Sequence, residues 1–222
     1  MSSGNYILLG PPGSGKSTQA ELLKKHFGLV HIDIGSELRA AAEEDTPLGH
    51  EINDTIHRRH SLVSDAVMMK VFENVIKRVP ASQGILLDGA PRRASQIDEV
   101  LDTLRSFGRS LHKVIFINLS EDQSIERISK RYLCFGCHRP YILGKDTFVP
   151  ETPCAVCGGK IGQRKDDTVE GVRKRYQIFH METLPVIEYF KKNNLLQSVD
   201  GNQSPDKIFQ TLISQLDVSV QK

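Results

Sequence analysis

Two sets of residues in this chain have the types and spacing to do chemistry. Gly10-Pro11-Pro12-Gly13-Ser14-Gly15-Lys16-Ser17 fits the pattern G-x-x-x-x-G-K-[ST]. Its glycines let backbone N–H groups converge on phosphate oxygens, and a helix opening at Lys16 adds favourable potential for an anion. Lys16 supplies a point charge for the β- and γ-phosphates, and the Ser17 hydroxyl can reach Mg²⁺. The spacing predicts a purine nucleoside triphosphate held at this loop. The second set is Cys134-x2-Cys137 and Cys154-x2-Cys157, with 16 residues between the pairs. Four thiolates suit a tetrahedral Zn²⁺, and four protein ligands leave no open position, so the expected site is structural. Iron on four thiolates is the chemical alternative. His138, beside Cys137, reads as a surface residue.

A third group surrounds these. Ile85-Leu86-Leu87 ends in Asp88, an acid placed to order the hydration shell of Mg²⁺ beside a phosphate loop. Arg92 follows shortly after it, and Arg39, Arg127, Arg131, Arg164, Arg173 and Arg175 are further cations. Phosphoryl transfer between two nucleotides crowds several phosphates together, and arginine binds two oxygens while staying charged.

These residues need elements to position them. Tyr6–Leu9, Leu29–Ile32, Gly84–Asp88, Val114–Leu119 and Leu195–Val199 read as short strands, most of them continuous apolar runs. Helical periodicity covers 15–27, 36–60 with interruptions at Pro47 and Gly49, 65–79, 93–107, 121–131, 168–192 and 206–216. Strands alternating with helices predict an α/β fold with a five-stranded parallel sheet buried on both faces. Two stretches interrupt the alternation. One is helical, and the other, 132–163, carries all four cysteines and little periodicity. Both read as insertions above the carboxyl edge of the sheet, where such folds bind ligands.

Composition narrows the classes. The chain has 222 residues, 39% hydrophobic and 25% charged, with a formal net charge of +2. That length fits one α/β domain with insertions or two small domains, and the balance is that of a soluble globular protein. With 6% aromatic residues and no tryptophan, no basic and aromatic stripe points to nucleic acid. No apolar run spans a bilayer, and the first residues lack the pattern of a secretory signal. A cytoplasmic, monomeric protein is expected, with its cysteines as ligands and not disulfides.

The sequence resembles the adenylate kinases, within the nucleoside monophosphate kinases, in their long form with a zinc-bearing lid. The resemblance runs from residue 5 to about 217. It rests on Gly10–Gln19, Ile34-Gly35-Ser36-Glu37-Leu38-Arg39, Leu62-Val63-Ser64-Asp65, Asp88–Arg92 with Gln96, Arg127 with Arg131, and Arg164-Lys165-Asp166-Asp167 with Val172-Arg173-Lys174-Arg175.

The resemblance implies a P-loop core at 1–32, 64–130 and 168–222, a monophosphate-binding insertion at 33–63 and a zinc-stapled lid at 131–167. It implies ATP + AMP ⇌ 2 ADP with Mg²⁺ and a structural Zn²⁺. Gly13, Ser14, Gly15, Lys16, Ser17 and Thr18 would hold the ATP phosphates. Arg127, Gln203, Pro140 and Tyr141 fall near the ATP base or the lid's approach to it. Gly35, Arg39, Gly89 and Arg92 would hold the AMP phosphate, and Leu62, Val63 and Gln96 the AMP base, with Gln96 reading adenine's edge. Arg131, Arg164 and Arg175 would close on the transferring group. Lys16, Asp88 and Arg92 complete the catalytic set.

Four positions depart from the family pattern. Ile34 stands for threonine, Ser36 for an aspartate near the metal network, Ala90 for phenylalanine and Ser17 for glycine. Ile34 and Ala90 suggest a larger acceptor pocket or looser AMP binding. A UMP or CMP kinase is the alternative within enzymes, and Gln96 argues against it. A zinc-ribbon nucleic-acid-binding ATPase is the alternative from another class.

Overall fold

The computed structural model describes residues 4–58, 61–137, 139–144, 146, 152–164 and 166–220, with the side chains of 57, 58 and 217–220 left aside. His138 and Lys165 lie outside these residues.

The chain opens with β1 (Tyr6–Leu9), α1 (Lys16–Phe27), β2 (Val30–Asp33), α2 (Ile34–Ala42) and α3 (Pro47–Asn53). A π-helical segment, Asp54–Arg58, leads to α4 (Asp65–Ile76), β3 (Ile85–Asp88) and α5 (Gln96–Ser106). Then come β4 (Lys113–Asn118), α6 (Glu121–Ser129), β5 (Arg131–Cys134), β6 (Pro140–Ile142) and β7 (Ile161–Gly162). The chain closes with α7 (Val169–Ile178), a π-helical segment Phe179–Thr183, α8 (Leu184–Lys192), β8 (Leu196–Asp200) and α9 (Pro205–Val220).

The five strands predicted from apolar runs form one sheet in the order β2-β3-β1-β4-β8, every neighbouring pair parallel. Alternation along β1 sends Ile7 and Leu9 to one face and Tyr6 and Leu8 to the other. On the first face they meet α4, α5 and α8 through Phe72, Val100 and Phe190. On the second they meet α1 and α9 through Leu23 and Leu212. Both faces are therefore covered, and the inner strands β1, β3 and β4 read as apolar runs, while the edge strands β2 and β8 carry His31, Gln197 and Ser198.

The cysteine-bearing segment, which shows little helical periodicity, forms an antiparallel sheet of β5, β6 and β7 in the order β6-β5-β7. Its strands have four, three and two residues, too short for alternation to register. The expected single helix over 168–192 is divided by its π-helical segment. Pro185 follows it in the first turn of α8 and has no N–H for a carbonyl four residues back, so the preceding turn loosens. Thr183 then donates to the carbonyl of Arg92 at 3.1 Å and docks this segment on the turn after β3. Among the described residues, no helix is long and apolar enough to cross a membrane.

Candidate active site

The strands of the large sheet end together, and the loop Gly10–Gly15 crosses their carboxyl edge between β1 and α1. Gly13 and Gly15 take φ values of 72° and 94°, the left-handed region open to glycine. A side chain at Gly10 would also collide: a Cβ there would lie 2.6 Å from Ser14 Oγ and 2.7 Å from the Ile117 carbonyl. Lys16 bends back over the loop and donates to the carbonyls of Gly10 (2.8 Å) and Pro11 (3.0 Å). Burial pulls its ammonium down to about 8, against the pull of Asp88 and Asp33 and together with Arg92 and Arg131. Ser14 is fully buried, and its Oγ has no hydrogen-bond partner among the described residues.

One cavity of about 930 Å³ opens beside this loop. It is lined by every predicted donor and acceptor residue except Tyr141. Tyr141 is corrected: β6 turns Pro140 and Ile142 outward and buries the Tyr141 ring, whose hydroxyl lies 3.1 Å from Cys154 Sγ. Alternation along a strand separates neighbours onto opposite faces. Ala90 is corrected as well. It is fully buried in the cluster that holds the stacked rings of Phe116 and Phe179, and it does not line the cavity. Ile34 does line it.

The cations of the site are held by identifiable partners. Arg92 donates through Nε to the Gly89 carbonyl at 2.9 Å, where Gly89 has a φ of 84°. Arg39 Nη2 donates to Ser36 Oγ at 2.8 Å. Arg127 Nη2 donates to the Gly201 carbonyl at 2.7 Å, fixing the loop that carries Gln203. Arg131 and Arg175 share Asp167, which accepts from them at 2.7 Å and 3.0 Å. Burial brings Arg164 down to about 10, with Arg39 and Arg131 adding to the effect. Cations that depress one another across a cavity are matched to an anionic ligand.

Asp88 is buried, and His31 Nε2 stands 3.5 Å from its Oδ2. Burial alone would lower the His31 value, but Asp88 outweighs it and the imidazole is raised. Gln96 is held on three sides. Its Oε1 accepts from the backbone N–H of Arg92 (2.7 Å) and Arg93 (3.2 Å), and its Nε2 donates to Asp65 Oδ1 at 2.8 Å. Turning the amide over would set donor on donor and acceptor on acceptor, so the network decides its orientation. Arg93 Nη1 bonds Asp65 Oδ1 and the Val63 carbonyl, both at 2.8 Å. It thereby fixes the segment Leu62–Val63 against the cavity.

Asp167, Asp65, Arg93 and His31 are site-building residues that sequence reasoning did not assign. Asp65 and Asp167 lay within the quoted motifs but had no visible role. The partners that give them one are 28 and 36 residues away in the chain.

The four cysteines converge. Their sulfurs all lie within 4.8 Å of one another. Cys134 and Cys157 are 3.4 Å apart, and Cys137 and Cys154 are 3.7 Å apart. Tetrahedral coordination at a Zn–S distance of about 2.3 Å sets sulfurs about 3.8 Å apart. Backbone N–H groups of Gly136 and Val156 point at Cys134 Sγ (3.3 Å) and Cys154 Sγ (3.4 Å). A Cβ at Gly159 would lie 3.0 Å from Cys134 Sγ and 3.2 Å from the Gly136 backbone, so this turn is tightly packed against the sulfur. The Tyr141 hydroxyl brings the Cys154 thiol down to about 6. The buried cluster beneath this sheet holds Cys134, Tyr141, Cys154 and Ile161. So small an apolar cluster does not hold a segment folded by itself, and a tetrahedral ion on the sulfurs would.

Comparison with known proteins agrees with this geometry. The adenylate kinase family model matches residues 8–195. A protein of Brevibacillus brevis named adenylate kinase is 37% identical over 215 residues, 96% of this chain and 99% of its own length. A Thermosipho melanesiensis protein of that name is 36% identical over 212 residues, 95% of this chain and 98% of its own length. A Geotalea daltonii protein of that name is 36% identical over 210 residues, covering 95% and 98%. With the match spread over nearly the whole length of both partners, the chain belongs to the adenylate kinase family.

Proposed function

We propose that this protein transfers the γ-phosphoryl group of ATP to AMP, reversibly, giving two ADP. The observation that carries the reading is the convergence of Lys16, Arg39, Arg92, Arg131, Arg164 and Arg175 on one cavity at the carboxyl edge of the sheet. One phosphate chain does not need six fixed cations; a donor and an acceptor brought end to end do.

The loop residues Gly13, Ser14, Gly15, Lys16, Ser17 and Thr18 take the donor phosphates, with Arg127 and Gln203 toward its base and Pro140 covering it. Gly35, Arg39, Gly89 and Arg92 take the acceptor phosphate. Leu62, Val63 and Gln96 take the acceptor base. Arg131, Arg164 and Arg175 surround the group in transfer. An acceptor phosphate oxygen attacks the γ-phosphorus, and the bond to the β-phosphate oxygen breaks. Alignment and charge stabilisation carry the step without a covalent enzyme intermediate.

Bound Mg²⁺ neutralises phosphate oxygens in this chemistry. The Asp88 carboxylate and Ser17 hydroxyl offer the hard oxygen atoms it prefers. The cysteines 134, 137, 154 and 157 hold a structural Zn²⁺, and thiols kept as ligands suit a reducing cytosol. In this reading 1–32, 64–130 and 168–222 are the core. Residues 33–63 bind the monophosphate, and 131–167 close over ATP and keep water, a competing acceptor, away.

A coupled assay of ADP formation with AMP, CMP, UMP and GMP, with and without a zinc chelator, tests the reading. Rapid ADP formation with AMP is expected. If no monophosphate is phosphorylated, the reading fails.

A further inference from the structure

Position 36, where the family pattern has an aspartate near the metal network, carries serine. Its hydroxyl is committed twice. It donates to Asp33 Oδ2 at 2.5 Å and accepts from Arg39 Nη2 at 2.8 Å. Serine brings no charge, so the carboxylate expected there must come from elsewhere or be lost.

Asp33 is the last residue of β2, and in the parallel register of β2 with β3 its partner is Asp88. Two neighbouring strands thus end in carboxylates side by side, at the edge that the phosphate loop crosses. Both line the same cavity as Lys16 and the unpartnered, fully buried Ser14 hydroxyl. Lys16 senses both acids, since Asp88 and Asp33 are the two groups that work against its loss of charge. Behind Asp88 stands His31, its Nε2 3.5 Å from Oδ2. Asp33 has Arg39 as a longer ion-pair partner, 3.9 Å away with the Ser36 hydroxyl bridging the two. Its carboxyl is immobilised by the Ser36 backbone N–H at 3.1 Å. Burial pushes its value up, but the bonds from Ser36 and the charge of Arg39 outweigh burial and keep it ionised.

We propose that Asp33 is the second metal-orienting carboxylate of this site, acting beside Asp88 in place of the acid missing at position 36. The proposal rests on the phosphoryl-transfer reading given above. Mg²⁺ keeps several of its waters and is held through one or two carboxylates together with substrate phosphates. Asp33 is placed to accept hydrogen bonds from those waters as a positioning residue. Through Ser36 it also ties the metal side of the site to Arg39 on the acceptor side.

The competing role for Asp33 is purely structural, as the N-cap of α2. Asparagine and serine cap a helix about as well as aspartate, so a charge effect and a capping effect separate cleanly. The test uses D33N, D33S and the exchange D33S/S36D, each compared with the unaltered protein. Mn²⁺ binding to the complex with a non-hydrolysable ATP analogue is followed by electron paramagnetic resonance, and thermal midpoints are recorded alongside. D33N and D33S are expected to weaken Mn²⁺ binding about tenfold with little change in midpoint, as loss of an outer-shell partner does. D33S/S36D is expected to recover most of that affinity. Mn²⁺ binding unchanged in D33N overturns the proposal, as does a loss in D33S that the exchange does not recover. The readout is binding, so it separates this inference from a failure of the kinase assay.

Discussion

Asp167 grips Arg131 with both carboxylate oxygens: Nη2 donates at 2.7 Å and 2.9 Å, and Nε at 3.2 Å. The Asp167 side chain is fully buried, and the same carboxylate holds Arg175. Two guanidinium groups of the site thus share one anchor. D167N keeps the shape and removes the charge. It is expected to lower kcat about 100-fold through misplaced arginines and to cost about 2 kcal/mol of stability, since Arg131 loses its carboxylate while Arg175 keeps Asp166 at 2.9 Å. Steady-state kinetics and urea unfolding check both. A variant with normal kcat would show that the arginines are positioned by something else.

Lys16 gives a pH signature. Its value of about 8 lies below that of an ordinary lysine. Bound phosphates favour the charged form and raise it, so ATP binding above pH 8 takes up a proton. ATP affinity should fall up to about tenfold per pH unit above that point until the bound-state value is reached. Calorimetry at pH 9 in two buffers of different ionisation enthalpy measures the uptake directly. The sign for folding is opposite. The unfolded chain holds this proton to higher pH than the folded protein, so stability gains from Lys16 as pH rises above 8.

Gln96 predicts which bases the acceptor site takes. Its Oε1 already accepts two backbone N–H groups, and one N–H of its Nε2 is on Asp65. What remains is one donor. Adenine offers an acceptor nitrogen at its Watson–Crick edge, whereas hypoxanthine carries a hydrogen there. IMP should therefore be a poorer acceptor than AMP by about 100-fold or more in kcat/KM, the penalty for opposing two donors. Comparable rates with IMP would place the base away from Gln96.

The cysteine site predicts one zinc per chain by elemental analysis. C154S should release it and lower the thermal midpoint, because too little apolar surface is buried beneath that sheet to replace the ion. A chelator should do the same to the unaltered protein. Full metal content in C154S would contradict a four-sulfur site.

Arg109 should matter for folding and not for catalysis. It is buried at the amino edge of the sheet and donates to the carbonyls of Gln83 (2.6 Å), Pro80 (2.7 Å) and Val79 (2.9 Å) and to Asn5 Oδ1 (3.2 Å). R109M leaves these acceptors unpaired and is expected to cost about 3 kcal/mol with kcat and KM unchanged. Chemical denaturation and kinetics on one preparation test both halves.

Much of this protein was readable from local pattern. The loop Gly10–Ser17 is contiguous, and its glycines and lysine act through backbone geometry that a few adjacent residues decide. The inner strands β1, β3 and β4 announced themselves because burial on both faces makes a strand a nearly unbroken apolar run. The cysteine pairs carry their own spacing. Other features depend on contacts between distant residues. The short strands β5–β7 have no periodicity to read, and they exist because each pairs with another. The inward turn of Tyr141, the burial of Ala90 away from the cavity and the sharing of Asp167 by two arginines follow from packing across the fold. So does the pairing of Asp33 with Asp88, set by the register of two strands more than fifty residues apart. Sequence alone decided which chemical groups are present and on which kind of element each sits, because propensity and pattern act over a few residues. Only the tertiary structure decided which of those groups face one another, because hydrogen bonds and charge act through space and not along the chain.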